Sequence, residues 1–68
     1  MDLWTKTESD RFTKWEIDGF YIKEYTAKPG EFNVFKLDRQ HNEFVFDVAL
    51  NDISKARFHV EYQLIMWA

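Results

Sequence analysis

The sequence predicts an α+β domain: an antiparallel sheet of three to four strands packed on one C-terminal helix. Three observations carry this. Aromatic and β-branched runs with a two-residue alternation recur at 20–26, 32–37 and 44–50. Turn residues separate them, Asp18-Gly19 and Lys28-Pro29-Gly30-Glu31 among them. Beyond Leu50 the apolar spacing changes to that of a helix, with Ile53, Ala56, Val60, Leu64 and Trp67 forming one stripe.

The elements follow in order. Residues 1–11 read as an arm, with Leu3 and Trp4 available to tuck against a core. Residues 12–17 admit two readings. Thr7 with Asp10 resembles a helix capping box, and Phe12 and Trp15 then share a helical face. As a strand, Thr13, Trp15 and Ile17 share one face. The strand is preferred because Asp18-Gly19 follows at once, and Asp-Gly between apolar runs signals a hairpin with φ > 0 at both positions.

The run 20–26 splits into Phe20/Ile22/Glu24 and Tyr21/Lys23/Tyr25. Pro29-Gly30 suits a type II turn, since Pro presets φ and Gly supplies the positive φ. The strand 32–37 splits into Phe32/Val34/Lys36 and Asn33/Phe35/Leu37. Residues 38–43 form a polar loop. In 44–50, alternation puts Phe44, Phe46, Val48 and Leu50 toward the helix and Val45, Asp47 and Ala49 outside. Asn51 or Asp52 caps a helix over 52–67. Short connections make neighbouring strands antiparallel.

With 68 residues the chain is a single domain, and chains this short need help to be stable. It has no Cys, so that help is neither a disulfide nor a thiolate metal site. A dense aromatic core is the alternative. Seven Phe, three Trp and three Tyr exceed what one small core holds, which predicts exposed aromatics at a partner surface. The outer sheet face, through Tyr21, Lys23, Tyr25 and Phe35 with Trp15 joining them, is the predicted protein-binding site. Self-association through it is included. The alternative is that the first eighteen residues fold back and cover this face.

Other classes of function find less support. No apolar run reaches the ~18 residues of a membrane span. The N-terminus lacks the basic-then-apolar layout of a signal peptide, which predicts a cytoplasmic protein. His41, Asp38 and Glu43 share one loop and include metal-ligand types, but a solvated turn explains them as well. His59 reads as a surface or sheet-edge residue. No glycine elbow surrounds Ser9 or Ser54, and Gly19 and Gly30 are isolated turn glycines. A domain this small is expected to lack a substrate pocket of ~300 Å³ or more. No catalytic residue, cofactor or metal site is predicted, and the protein is read as a non-enzyme.

The strand-and-helix layout resembles DNA-binding β3α domains of the AP2 type and of tyrosine-integrase N-terminal arms. That likeness implies a basic sheet face, here Lys23 and Lys36 with Tyr21 for stacking. The net charge of −3 and the acidic side chains Glu24, Glu31, Asp38, Glu43 and Asp47 oppose it. Nucleic-acid binding is therefore the runner-up. Gly-Phe-Tyr-Ile at 19–22, the Pro-Gly turn, two further strands and Asp-Ile-Ser-Lys-Ala-Arg at 52–57 also resemble small phage-encoded accessory proteins, over Trp15 to Glu61. That resemblance implies a host- or defence-directed inhibitor in the host cytoplasm, acting by surface binding.

Overall fold

The computed structural model describes residues 3–67. It holds five strands and one helix: β1 (Thr5–Glu8), β2 (Phe12–Ile17), β3 (Phe20–Tyr25), β4 (Phe32–Asp38), β5 (Glu43–Leu50) and α1 (Ile53–Trp67). The strands form one antiparallel meander in the order β1-β2-β3-β4-β5. The α+β class therefore stands, with five strands rather than three to four.

The additional strand is β1, in the segment expected to be an arm. Thr5 and Thr7, β-branched, alternate with Lys6 and Glu8, and the four residues pair Thr5–Glu16 through Glu8–Thr13. A tight turn replaces the capping box. The Ser9 hydroxyl accepts from the backbone N–H groups of Arg11 and Phe12, both at 3.3 Å, and the Ser9 N–H donates to the Phe12 carbonyl at 2.8 Å. Residues 5–17 thus extend the sheet edgewise and do not fold over its outer face.

The β2–β3 hairpin closes with Ile17 opposite Phe20. Only Gly19 has positive φ (75°), so this is not the mirror-image turn that needs positive φ at both central residues. Gly30, with φ 86°, fills the role expected of it after Pro29. Asp52 is the helix cap: its Oδ1 accepts from the N–H groups of Ser54 (2.7 Å) and Lys55 (3.2 Å).

One departure rearranges the two sheet faces. Val34 pairs with Val48 but Phe35 pairs with Phe46, leaving Asp47 as an extra residue in β5. This is a β-bulge, in which two consecutive residues oppose one on the partner strand. Asp47 and Val48 consequently both point toward the helix, and the alternation reverses on the N-terminal side. Val45 faces in. Phe44 and Phe46, expected toward the helix, face out, and Val45 and Asp47, expected outside, do not.

The core lies between the inner sheet face and α1. Ile22, Phe32, Val34, Ala56 and Val60 are buried, with Trp4, Trp15, Ile17, Phe20, Val48, Leu50, Ile53 and Leu64 packed around them. Fully burying an Ile or Val side chain stabilises by about 1.5–3 kcal/mol. The helix stripe is the expected one through Leu64; the side chain of Trp67 lies outside the described residues. Trp15 belongs to this core. It sits opposite Ile22, with its ring centroid 5.9 Å from that of Phe32. Its placement on the outer face is thereby corrected: on β2 it shares the inward parity of Thr13 and Ile17.

Candidate functional site

The face of the sheet away from α1 has no layer over it among the described residues. Register assigns its occupants. Phe12 pairs with Tyr25, Lys14 with Lys23, Glu16 with Tyr21, Tyr21 with Phe35, Phe35 with Phe46, and Leu37 with Phe44. Side chains on alternate positions of the four adjacent strands β2 to β5 stand side by side on one surface.

The aromatic rings form a continuous row. Tyr21 stacks on Phe35 with centroids 4.6 Å apart and planes 16° apart. Phe44 meets Tyr21 edge-on at 5.0 Å, and Phe46 meets Phe35 edge-on at 5.7 Å. Such pairs contribute about 0.5–1.5 kcal/mol each beyond area burial. The rings support one another sideways while their outer parts stay in water. Phe46 is 58% exposed, Phe44 46% and Tyr25 40%. Surface monomers rarely expose contiguous apolar patches beyond a few hundred Å² unless the patch is used.

Two lysines cross this row. The Lys14 ammonium lies 5.5 Å from the Tyr21 ring centroid. That of Lys23 lies 4.2 Å from Phe12 and 5.2 Å from Tyr25. Cation–π attraction of about 0.5–1 kcal/mol each holds the ammonium groups near the rings. Glu16, bridged to Lys14 at 3.3 Å, is the acidic side chain assigned to this face by register. Burial raises the Tyr21 phenol above its ordinary pKa, with the neighbouring Tyr25 and Glu16 adding to it, so Tyr21 stays neutral at physiological pH. The face is thus apolar and locally basic on an acidic chain.

Of the residues expected here, Tyr21, Lys23, Tyr25 and Phe35 lie together on the outer face and Trp15 does not. Phe12, Lys14, Phe44 and Phe46 were not anticipated. The local irregularity behind the last two is Asp47, a charged residue inside an apolar strand. It turns inward, where side chains of the helix meet its carboxylate. Asp47 Oδ2 accepts from His59 Nε2 (2.8 Å) and from the Gln63 amide (3.2 Å). The 2.9 Å contact between the two nitrogens follows from both donating to one oxygen. Burial raises the Asp47 carboxyl, but the hydrogen bonds from His59 and Gln63, with the charges of His59 and Lys36, outweigh it. The net direction is down. His59 thus sits at the sheet edge, as expected, where it is a partner of the bulge in β5.

The loop histidine is also engaged. His41 Nδ1 lies 2.7 Å from Asp38 Oδ2, and this hydrogen bond, first among several causes, lowers the Asp38 pKa. Among the described residues, no group of three or more His, Asp or Glu converges as metal ligands would. No described helix is long and apolar enough to cross a membrane.

Two hollows exceed the size expected of so small a domain. One of about 520 Å³ lies between Leu3, Trp4, Ile17 and α1; one of about 790 Å³ lies between the Asp18-Gly19 turn, β4 and Leu64. Neither is lined by a serine or a histidine. Comparison with protein families, with curated proteins and with solved structures found no match to this chain.

Proposed function

We propose that the protein is a non-enzymatic interaction module that binds another protein through the outer face of its sheet. The observation that carries this is the aromatic row Tyr21–Phe35–Phe44–Phe46, joined by ring–ring contacts, with Tyr21 and Phe35 half-buried and Phe44 and Phe46 exposed. Rigid aromatic anchors lose little side-chain entropy on binding, and contact surfaces favour them at their centres. Lys14 and Lys23 add direction. A complementary partner surface carries apolar side chains bordered by carboxylates. A host- or defence-directed inhibitory role in the cytoplasm of an infected cell is consistent with this mode of action, since surface binding needs no chemistry.

The test is capture from the native cell lysate by the intact chain and by two face variants, Phe46→Lys and Lys23→Glu. A specific partner is expected to be retained by the parent, lost with Phe46→Lys and weakened by Lys23→Glu. A partner retained equally by all three contradicts the proposal.

A second reading has one observation in its favour. Lys14 and Lys23 stand opposite each other beside aromatic rings, the ingredients of a single-strand binding platform. Two lysines neutralise about two phosphates, so a logarithmic salt slope near −1.4 is expected of single-stranded nucleic acid. Fluorescence anisotropy with a labelled oligonucleotide at ~50 mM salt decides; no binding there removes this reading.

A further inference from the structure

The helix carries a second apolar surface that the core does not use. Phe58, Tyr62, Ile65 and Met66 are 68%, 55%, 74% and 65% exposed. At spacings of four, three and one they form a stripe on the side of α1 opposite Ala56, Val60 and Leu64. Phe58 and Tyr62 stack at 6.3 Å. Leu3, 72% exposed, extends the patch across the hollow beside Ile65. A helix apolar on both sides is expected where it is covered on both sides.

We infer that α1 pairs with α1 of a second copy, antiparallel, about a two-fold axis near Tyr62. Three features select a second copy as the occupant. The stripe is self-complementary about that axis. Phe58 of one copy meets Ile65 and Met66 of the other, as an isologous contact requires. The ends are complementary in charge. The described last turn of the helix carries no basic residue to face its C-terminal carbonyls. Antiparallel pairing brings Lys55 of the other copy, at the head of the same stripe, toward that negative end. The area suffices as well. Five largely exposed side chains offer on the order of 600 Å² per copy on the usual scale for large side chains. Two copies then bury about 1,200 Å², the lower bound of standard interfaces and the range of reversible, micromolar association.

The sheet face does not serve this purpose. Lys14 and Lys23 pair directly across β2 and β3, and two such faces placed together would confront four ammonium groups. The helix lies on the opposite side of the sheet, so a dimer through α1 leaves both aromatic faces pointing outward. On the proposed function above, the assembly is then bivalent, and it binds a multivalent partner more tightly than either face alone.

Sedimentation equilibrium of the intact chain from about 5 to about 500 µM tests the pairing. The apparent mass is expected to rise from 8.3 kDa toward twice that value. Ile65→Lys with Tyr62→Glu, both at exposed positions, is expected to hold it at the monomer mass with an unchanged circular dichroism spectrum. A parent that stays monomeric throughout overturns the inference. So does a dimer that survives the helix variant, and one abolished by Phe46→Lys in its place, which would assign self-association to the sheet face. Because the chain has no cysteine, Tyr62→Cys gives a second readout. Under mild oxidation it is expected to crosslink faster than Phe46→Cys; equal rates count against the axis. Partner capture by the sheet face is read separately, so loss of the dimer does not remove it.

Discussion

Phe46 and Val48 stand two positions apart on one strand, where ordinary alternation would give them the same environment. Phe46 is 58% exposed and Val48 lines the core. The residue between them is responsible. Asp47 turns inward to accept hydrogen bonds from His59 and Gln63, and the sheet yields by one residue to let it. Its carboxyl pKa is lowered in the folded chain, so the sign of its linkage is determined. The stabilisation is fully present above the unfolded carboxylate pKa near 3.9 and is lost as pH falls through the lower folded value. Urea denaturation between pH 7 and pH 2 is expected to show Asp47→Asn less stable than the parent at neutral pH, by about 0.5–1.5 kcal/mol for lost hydrogen bonding. The gap is expected to narrow below about pH 4. A gap unchanged down to pH 2 would mean that the charge of Asp47 is not what holds the bulge. Core and face residues separate by the same measurement. Ile22→Ala is expected to cost about 2–5 kcal/mol, because Ile22 has no exposed surface. Phe46→Lys is expected to cost less, about 0.5–1.5 kcal/mol for the lost edge contact with Phe35.

At the scale of elements, the helix is set by its cap and the β2–β3 and β3–β4 hairpins by their glycines. Asp52→Ala removes the acceptor for the Ser54 and Lys55 N–H groups and is expected to cost about 1 kcal/mol in thermal or urea unfolding. Gly30→Ala isolates backbone strain from packing. A Cβ there would meet nothing within 4 Å, so the expected loss of about 1 kcal/mol comes from φ alone. These elements were legible because their signals are local. Pro29-Gly30, the cap pair Asn51-Asp52 and the spacing Ile53-Ala56-Val60-Leu64 each state their conformation within a few residues. Strand β1 was not legible, since Thr5–Glu8 has no apolar side chain and forms only because β2 offers an unpaired edge. The bulge was not legible. Plain alternation gives the Asp of Phe-Val-Phe-Asp-Val an ordinary solvent-facing position, and its inward turn depends on His59 and Gln63, twelve and sixteen residues away. The placement of Trp15 needed only the parity of β2. Its surplus of aromatic neighbours in the sequence suggested the outer face, and the parity with Ile17 decided for the core.

For the whole molecule, a single helix covers one side of a five-stranded sheet and leaves two apolar surfaces in water, the aromatic row and the outer stripe of α1. A chain of 68 residues has few ways to bury more, and a second helix would be needed to close the outer face. The central claim is that this face is open and built of Tyr21, Phe35, Phe44 and Phe46. Nuclear Overhauser contacts among ring protons in solution test it most directly. The account expects contacts from Tyr21 to Phe35 and Phe44, and from Phe35 to Phe46, with none from Phe44 or Phe46 to Val60 or Leu64. Strong contacts from Phe44 and Phe46 to those helix residues would place them in the core, abolish the bulge at Asp47, and contradict the interaction surface.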